Sequence, residues 1–260
     1  MKLTVLTENT AGSIFGAEHG LSYFIEYDGM NILFDTGHSD LFLRNAEKLK
    51  IDIAEKADLI VLSHGHWDHG DGLRYISNKT LLTHPDAFIK RFRKNGKTNI
   101  GLALIKEELE SKFNLITYRE PHFISDKIVF LGEIPRLNSF ESKTTTFKDE
   151  KGEEDFVIDD SALAVIKNNQ LIIVSGCAHS GICNICEYAK KVTGINKINS
   201  VIGGFHLKFN NKQTAETIEY LKNENPSQII PSHCTELPAL SAFFIEFGIN
   251  HLKTGNIINF

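Results

Sequence analysis

Three histidines and a carboxylate crowd into six residues of Ser63-His64-Gly65-His66-Trp67-Asp68-His69-Gly70. The apolar run Leu59-Ile60-Val61-Leu62 stands directly before them and reads as a buried strand. Residues two apart on an extended segment face the same side, so His64 and His66 converge on one point. If the chain then turns into a helix, Asp68 and His69 face elsewhere and can serve a second point nearby. Imidazole and carboxylate together are ligands for zinc, iron, manganese or nickel. The chemistry implied is that of one or two divalent transition-metal ions, zinc first among them.

Three further stretches repeat the pattern of an apolar run followed by a histidine. They are Ser175-Gly176-Cys177-Ala178-His179, Gly203-Gly204-Phe205-His206 and Pro231-Ser232-His233-Cys234, after the runs 171–174, 201–202 and 229–230. Strand ends on one edge of a sheet are the usual place for ligands in a layered α/β fold. The Gly203-Gly204 pair is expected to let backbone amides approach an anion.

These residues need a scaffold, and the length and composition supply one. With 260 residues, 42% hydrophobic and 23% charged, the chain is an ordinary globular sequence, read here as one domain over 1–260. A net charge of −5 excludes a broad nucleic-acid footprint. No apolar run approaches a membrane span and Met1-Lys2-Leu3-Thr4-Val5-Leu6 reads as a strand rather than a leader, so a cytoplasmic protein with a small-molecule substrate and no membrane partner is expected. Cys183 and Cys186 have no second C-x-x-C pair and read as buried small residues on a helix.

The patterning predicts strands near 2–7, 21–27, 31–35, 58–63, 127–131, 162–167, 171–175, 199–203, 227–231 and 256–259. It predicts helices near 40–49, from Asp68, over much of 84–115, and near 181–192, 213–223 and 238–247. The basic run Lys90-Arg91-Phe92-Arg93-Lys94 reads as the solvated end of a helix, and the acid-rich stretch 136–160 as a polar loop or lid. Residues 21–40 and 162–181 share one plan: strand, tight turn, strand, His-bearing loop, helix. That repetition suggests two sheets packed face to face with helices outside, an α/β four-layer αββα sandwich.

His64-x-His66-x-Asp68-His69, with Phe34-Asp35-Thr36-Gly37 before it, resembles the signature of the metallo-β-lactamase-fold superfamily. Ala17-Glu18-His19-Gly20-Leu21-Ser22, Leu131-Gly132-Glu133-Ile134-Pro135-Arg136, Ser175–Ile182, Gly203–Leu207 and His233-Cys234-Thr235 are similar to its dihydropteridinyl-methyl-ribofuranosylaminobenzene phosphate synthase-like group. The resemblance implies metal ligands at His64, His66, Asp68, His69 and His233. In most of the superfamily another His precedes the second hairpin and a bridging Asp ends it. Asp159-Asp160-Ser161 and Gly176-Cys177 occupy those places here. His179 is therefore read as the replacement ligand beside His64 and His66, with Cys177 and Asp160 as rivals for a bridging or ligand role.

A metal-dependent hydrolase acting on a small phosphate-containing or cyclic ester is the expectation. A pterin-condensing transferase and a non-catalytic metal- or ligand-binding protein are the alternatives. Asp68 would orient or deprotonate water, and His206 would touch the substrate or protonate a leaving group. Arg136 and His19 would bind substrate, and Asp35 would support a ligand histidine or cap the next helix. Trp67 would wall the site or lie beneath it.

Overall fold

The structure is a computed structural model that describes residues 1–260. In chain order the strands are β1 (Lys2–Thr7), β2 (Ser22–Tyr27), β3 (Met30–Phe34), β4 (Leu59–Val61), β5 (Thr80–Thr83), β6 (Arg91–Arg93), β7 (Asn114–Thr117), β8 (His122–Ser125), β9 (Ile128–Phe130), β10 (Phe147–Asp149), β11 (Glu154–Asp155), β12 (Ala162–Lys167), β13 (Gln170–Ser175), β14 (Ile198–Gly204), β15 (Gln228–Ser232) and β16 (Ile257–Asn259). The helices are α1 (Leu41–Lys48), α2 (Ile53–Lys56), α3 (Trp67–Gly70), α4 (Lys106–Lys112), α5 (Ile182–Thr193), α6 (Lys212–Glu224) and α7 (Leu237–Phe247). The chain divides into two compact units, one of residues 1–119, 146–155 and 253–260, the other of 120–145 and 156–252.

The first unit is built on a sheet of order β16-β1-β2-β3-β4-β5-β7 with a small sheet β11-β10-β6 beside it. The second carries the order β15-β14-β13-β12-β9-β8. Each large sheet changes from antiparallel to parallel pairing at one hairpin strand, β3 in the first and β13 in the second. Both hairpins close on two residues of positive φ, Asp28 and Gly29 at 55° and 74°, Asn168 and Asn169 at 52° and 57°. Aspartate, asparagine and glycine tolerate that left-handed region, and a two-residue turn of this kind matches the twist of the strands it joins.

Burial follows from the pairing. Parallel strands are covered on both faces and read as unbroken apolar runs; β4 is wholly buried, as are Leu171–Ser175 of β13. In the first unit Phe24, Leu33, Ile60 and Leu81 pack with Phe42 and Ala46 of α1 and Leu109 of α4. In the second, Val129, Ala164, Leu171, Ile173 and Val201 pack with Ile185 and Ala189 of α5 and Phe243 of α7. No helix is long and apolar enough to cross a membrane.

The structure departs from the sequence reading in three places. Residues 84–115 are not mostly helical: they hold a 3-10 turn at Pro85–Phe88, the strand β6, an irregular stretch, and only then α4. The expected solvated basic run is β6 itself, with Arg91 wholly buried. The polar stretch 136–160 is partly ordered by pairing, since β10 joins β6 and β11. Its Glu141 is buried and accepts N–H bonds from Cys183 (3.0 Å) and Asn184 (2.9 Å), capping α5 with a carboxylate.

Candidate metal centre

In the first unit β3 and β4 run parallel, so Asp35 and the His64 loop leave the sheet along the same edge. Asp35 has a left-handed φ of 57° and is fully buried. Its Oδ1 accepts the Ser63 N–H at 2.7 Å, and its Oδ2 accepts both Ser63 Oγ and His69 Nδ1, each at 2.7 Å. An ionised carboxylate only accepts. His69 therefore carries its proton on Nδ1 and its lone pair on Nε2. Ser63, having given its proton to Asp35, accepts from His64 Nδ1 at 2.9 Å, so the His64 lone pair also sits on Nε2. One aspartate thus sets the ring state of two histidines.

His64 Nε2 faces His66 Nδ1 at 2.9 Å. Asp68 Oδ2 lies 4.0 Å from His69 Nε2 and 3.2 Å from His19 Nε2. His64 and His69 are fully buried and His66 and Asp68 nearly so, whereas the His19 side chain is 54% exposed. Burial pushes the His64 pKa well below the ordinary imidazole value, and the neighbouring His69 and His66 add to the effect. The ring stays neutral, the form a metal requires. Trp67 stands between two imidazoles, 5.6 Å from His19 and 4.6 Å from His38 by ring centroids. Gly65 is dictated by contact: a Cβ there would lie 1.7 Å from the Ala87 carbonyl oxygen.

In the second unit β13, β14 and β15 are parallel neighbours, so the loops bearing His179, His206 and His233 leave one edge. Ala178, His206 and His233 hold φ near 50° (54°, 50° and 50°). Such non-glycine residues cost energy and persist where the surroundings over-determine them. The His179 and His206 rings lie 4.3 Å apart. Cys177 is buried, and the Cys234 thiol donates to its carbonyl oxygen at 3.3 Å. Asp160 is fully buried; its Oδ2 accepts Ser180 N–H (2.9 Å) and Oγ–H (2.5 Å), while Oδ1 has no hydrogen-bond partner. Burial raises its pKa despite the two bonds from Ser180.

Two expectations change here. Arg136 donates to the carbonyl oxygens of Ile134 (2.7 Å), Phe156 (3.0 Å) and Val157 (3.4 Å), so the guanidinium ties loops together rather than standing open to an anion. Gly203 and Gly204 serve close strand packing: a Cβ on Gly203 would lie 2.0 Å from Ser175 O, and the Gly204 N–H already bonds Gly176 O at 2.9 Å. Sequence reasoning missed Ser63, His38, Arg91, Phe147 and Glu141. Ser63 adjoins His64 and was open to reading, whereas Arg91 pairs with Asp155 across a sequence gap that leaves no local signal.

The side chains that could hold a metal ion are His64, His66, Asp68 and His69 in the first unit and Cys177, His179 and His233 in the second. The first-unit set fits such an ion on its own geometry. Two nitrogens at ~2.05 Å from one ion and a tetrahedral angle stand about 3.3 Å apart, close to the His64–His66 separation. His64 and His69 also present lone pairs on Nε2, fixed by the Asp35 network.

The fold and this donor set define the class, and residues 15–83 match the Metallo-beta-lactamase superfamily. Across 247 residues, 92% of each chain, the protein is 38% identical to the uncharacterized protein MJ0448 of Methanocaldococcus jannaschii. It is 35% identical to the 7,8-dihydropterin-6-methyl-4-(beta-D-ribofuranosyl)-aminobenzene-5'-phosphate synthase of the same organism, over 100% of this chain and 97% of that one. Among solved structures, Tm1679, a metal-dependent hydrolase of the beta-lactamase superfamily, superposes with a TM-score of 0.88 at 28% identity, covering 100% of this chain and 99% of that one. The chain belongs to the metallo-β-lactamase superfamily, in the group that contains this synthase, and has its mixed α/β fold.

Proposed function

We propose that the protein is a metal-dependent hydrolase of a small phosphate-bearing or cyclic ester substrate. Its metal would be held by His64, His66 and His179 at one position and by Asp68, His69 and His233 at a second, with Cys177 and Asp160 as rival occupants. The observation that carries the reading is the Asp35–Ser63 network, which engages Nδ1 of both His64 and His69 and leaves Nε2 of each as the lone-pair nitrogen. A divalent ion such as zinc would supply Lewis acidity there and lower the pKa of a bound water to about 7.

The protein's own residues handle the remaining steps. Asp68, poised by His19 at 3.2 Å, orients the attacking water and accepts its proton. The water oxygen bonds to the phosphorus or carbonyl carbon as the ester oxygen leaves, and His206 returns a proton to that oxygen. Trp67 and His38 exclude bulk water from one flank.

A second reading has the same metal set serving a condensing transferase that releases pyrophosphate. The 35% identity to the synthase along the full chain favours it, since that relative's named product joins a pterin to an aminobenzene carrying a 5'-phosphate. Zinc-loaded protein incubated with phosphodiesters, lactones and pterin pyrophosphates separates the two. Phosphate-ester or lactone cleavage supports the hydrolase. Pyrophosphate release that requires an aminobenzene acceptor supports the transferase. Turnover that persists undiminished in His66→Ala overturns both.

A further inference from the structure

We infer that Arg91, Asp155 and Phe147 are positioning residues for the His64–His66 position: a buried ion pair pins the strap 146–155 so that the Phe147 ring braces His66. The inference rests on the metal reading above. Arg91 heads the largest fully buried side chains of the protein, and its Nε donates to Asp155 Oδ2 at 2.9 Å. The two residues sit on outer strands of the small sheet, β6 and β11, with β10 between them. Closing the pair therefore clamps β10, and β10 opens with Phe147, whose ring centroid lies 5.0 Å from that of His66 at 60°.

The backbone makes a second tie. Arg91 O accepts from Ile100 N–H (2.8 Å), Ile100 O accepts from Trp67 N–H (3.2 Å), and His66 bridges Gly101. The strap and the ligand loop are thus held to the same stretch of chain.

The chemistry of the pair says what it is for. Two apolar residues would hold a buried strap at least as well, because desolvating a charge pair costs about as much as its attraction returns. A guanidinium–carboxylate contact adds direction: it fixes angle and register as packed methyl groups do not. Position is also what a ligand imidazole needs. Asp35 and Ser63 orient His69 and His64 by hydrogen bonds; a ring edge braces His66.

The test uses full-length, metal-stripped protein titrated with cobalt(II), read by its visible ligand-field bands and by chelator competition. Phe147→Leu keeps the strap apolar and removes the ring; Asp155→Asn removes the ion pair; Arg91→Lys keeps the charge without the fork. Lys94→Ala, which cuts the exposed Lys94–Glu154 pair on the same sheet, is the control. We expect the first three to shift the bands and weaken cobalt binding by roughly tenfold or more, and the control to match the parent. Unchanged bands and affinity in Phe147→Leu and Asp155→Asn overturn the inference while leaving the metal reading intact. If Asp155→Asn does not fold, Phe147→Leu decides alone. A parent protein that takes up no cobalt overturns the metal reading itself.

Discussion

Replacing Asp35 by asparagine tests the network on which the metal reading stands. Asparagine tolerates the positive φ that position 35 holds, so the backbone is spared. Its carbonyl oxygen can still accept the Ser63 N–H. The other arm becomes an NH2 group, facing Ser63 Oγ and His69 Nδ1 where the carboxylate accepted at 2.7 Å. Two donors cannot share one contact. His69 must turn its lone pair toward Nδ1, which places the proton on Nε2. Ser63 must accept from the amide and donate to His64 Nδ1, with the same result there. Both ligand nitrogens then carry hydrogen. Losing a supporting partner of one ligand costs metal affinity about 10- to 100-fold. Two affected ligands bring the loss to roughly 10²–10⁴-fold, about 3–5.5 kcal/mol. Folding stability of the metal-stripped protein should fall only by about 1–3 kcal/mol, the range for a mismatched buried polar group. Zinc competition against a chromophoric chelator gives the first quantity and urea unfolding the second. Zinc affinity within about threefold of the parent, far inside that range, would refute the argument that Asp35 sets both ring states.

Ser63→Ala should weaken zinc by about 10- to 100-fold, since only His64 loses its partner; the same chelator competition measures it. Glu141→Ala strands the Cys183 and Asn184 N–H groups and should cost roughly 2–4 kcal/mol in urea unfolding, with Glu141→Gln milder because it keeps a carbonyl acceptor. Gly65→Ala should prevent native folding of the His64–His66 loop, visible as lost metal uptake and a lowered melting temperature, because the added methyl meets backbone. The pH dependence follows from His64, whose folded pKa is depressed below 6.5. As pH falls below that value the unfolded chain takes up a proton that the folded chain resists, so metal-stripped protein loses stability by up to ~1.4 kcal/mol per pH unit from this group. Urea unfolding at pH 7.5 and 5.5 should show a smaller drop in His64→Gln; an equal drop would contradict the assignment.

Much of this was open to reading in the residues themselves. Asp28-Gly29 and Asn168-Asn169 announce their turns because few residues accept positive φ twice in succession. The runs 59–62 and 171–174 announce buried parallel strands because both faces must be apolar. The histidines that follow such runs were legible for the same reason. What stayed hidden depends on partners distant in sequence. Arg91 looks like surface charge until Asp155 and Phe147 arrive against it, and Glu141 looks like loop polarity until the amides of α5 meet it. Residues 84–115 misled because their Lys- and Glu-rich composition favours helix, while the pairing of β6 with β10 overrides it. Gly203 and Gly204 read as an anion cradle because glycine frees the backbone, whereas their neighbours are strands and a thiol.

The partner of β1 has a consequence for how the protein is made. Lys2 pairs with Asn259, and Val5 exchanges hydrogen bonds with Gly255 and Asn256. Every residue of the second unit, 120–145 and 156–252, leaves the ribosome before those partners do. At roughly 5–20 residues per second, the opening strand waits tens of seconds with one flank of its N–H and C=O groups unmatched beside Leu3, Val5 and Leu6. An open apolar strand edge is a template for pairing with the wrong chain. The unit begun earlier is completed last, and nascent-chain chaperones have their longest opportunity at β1.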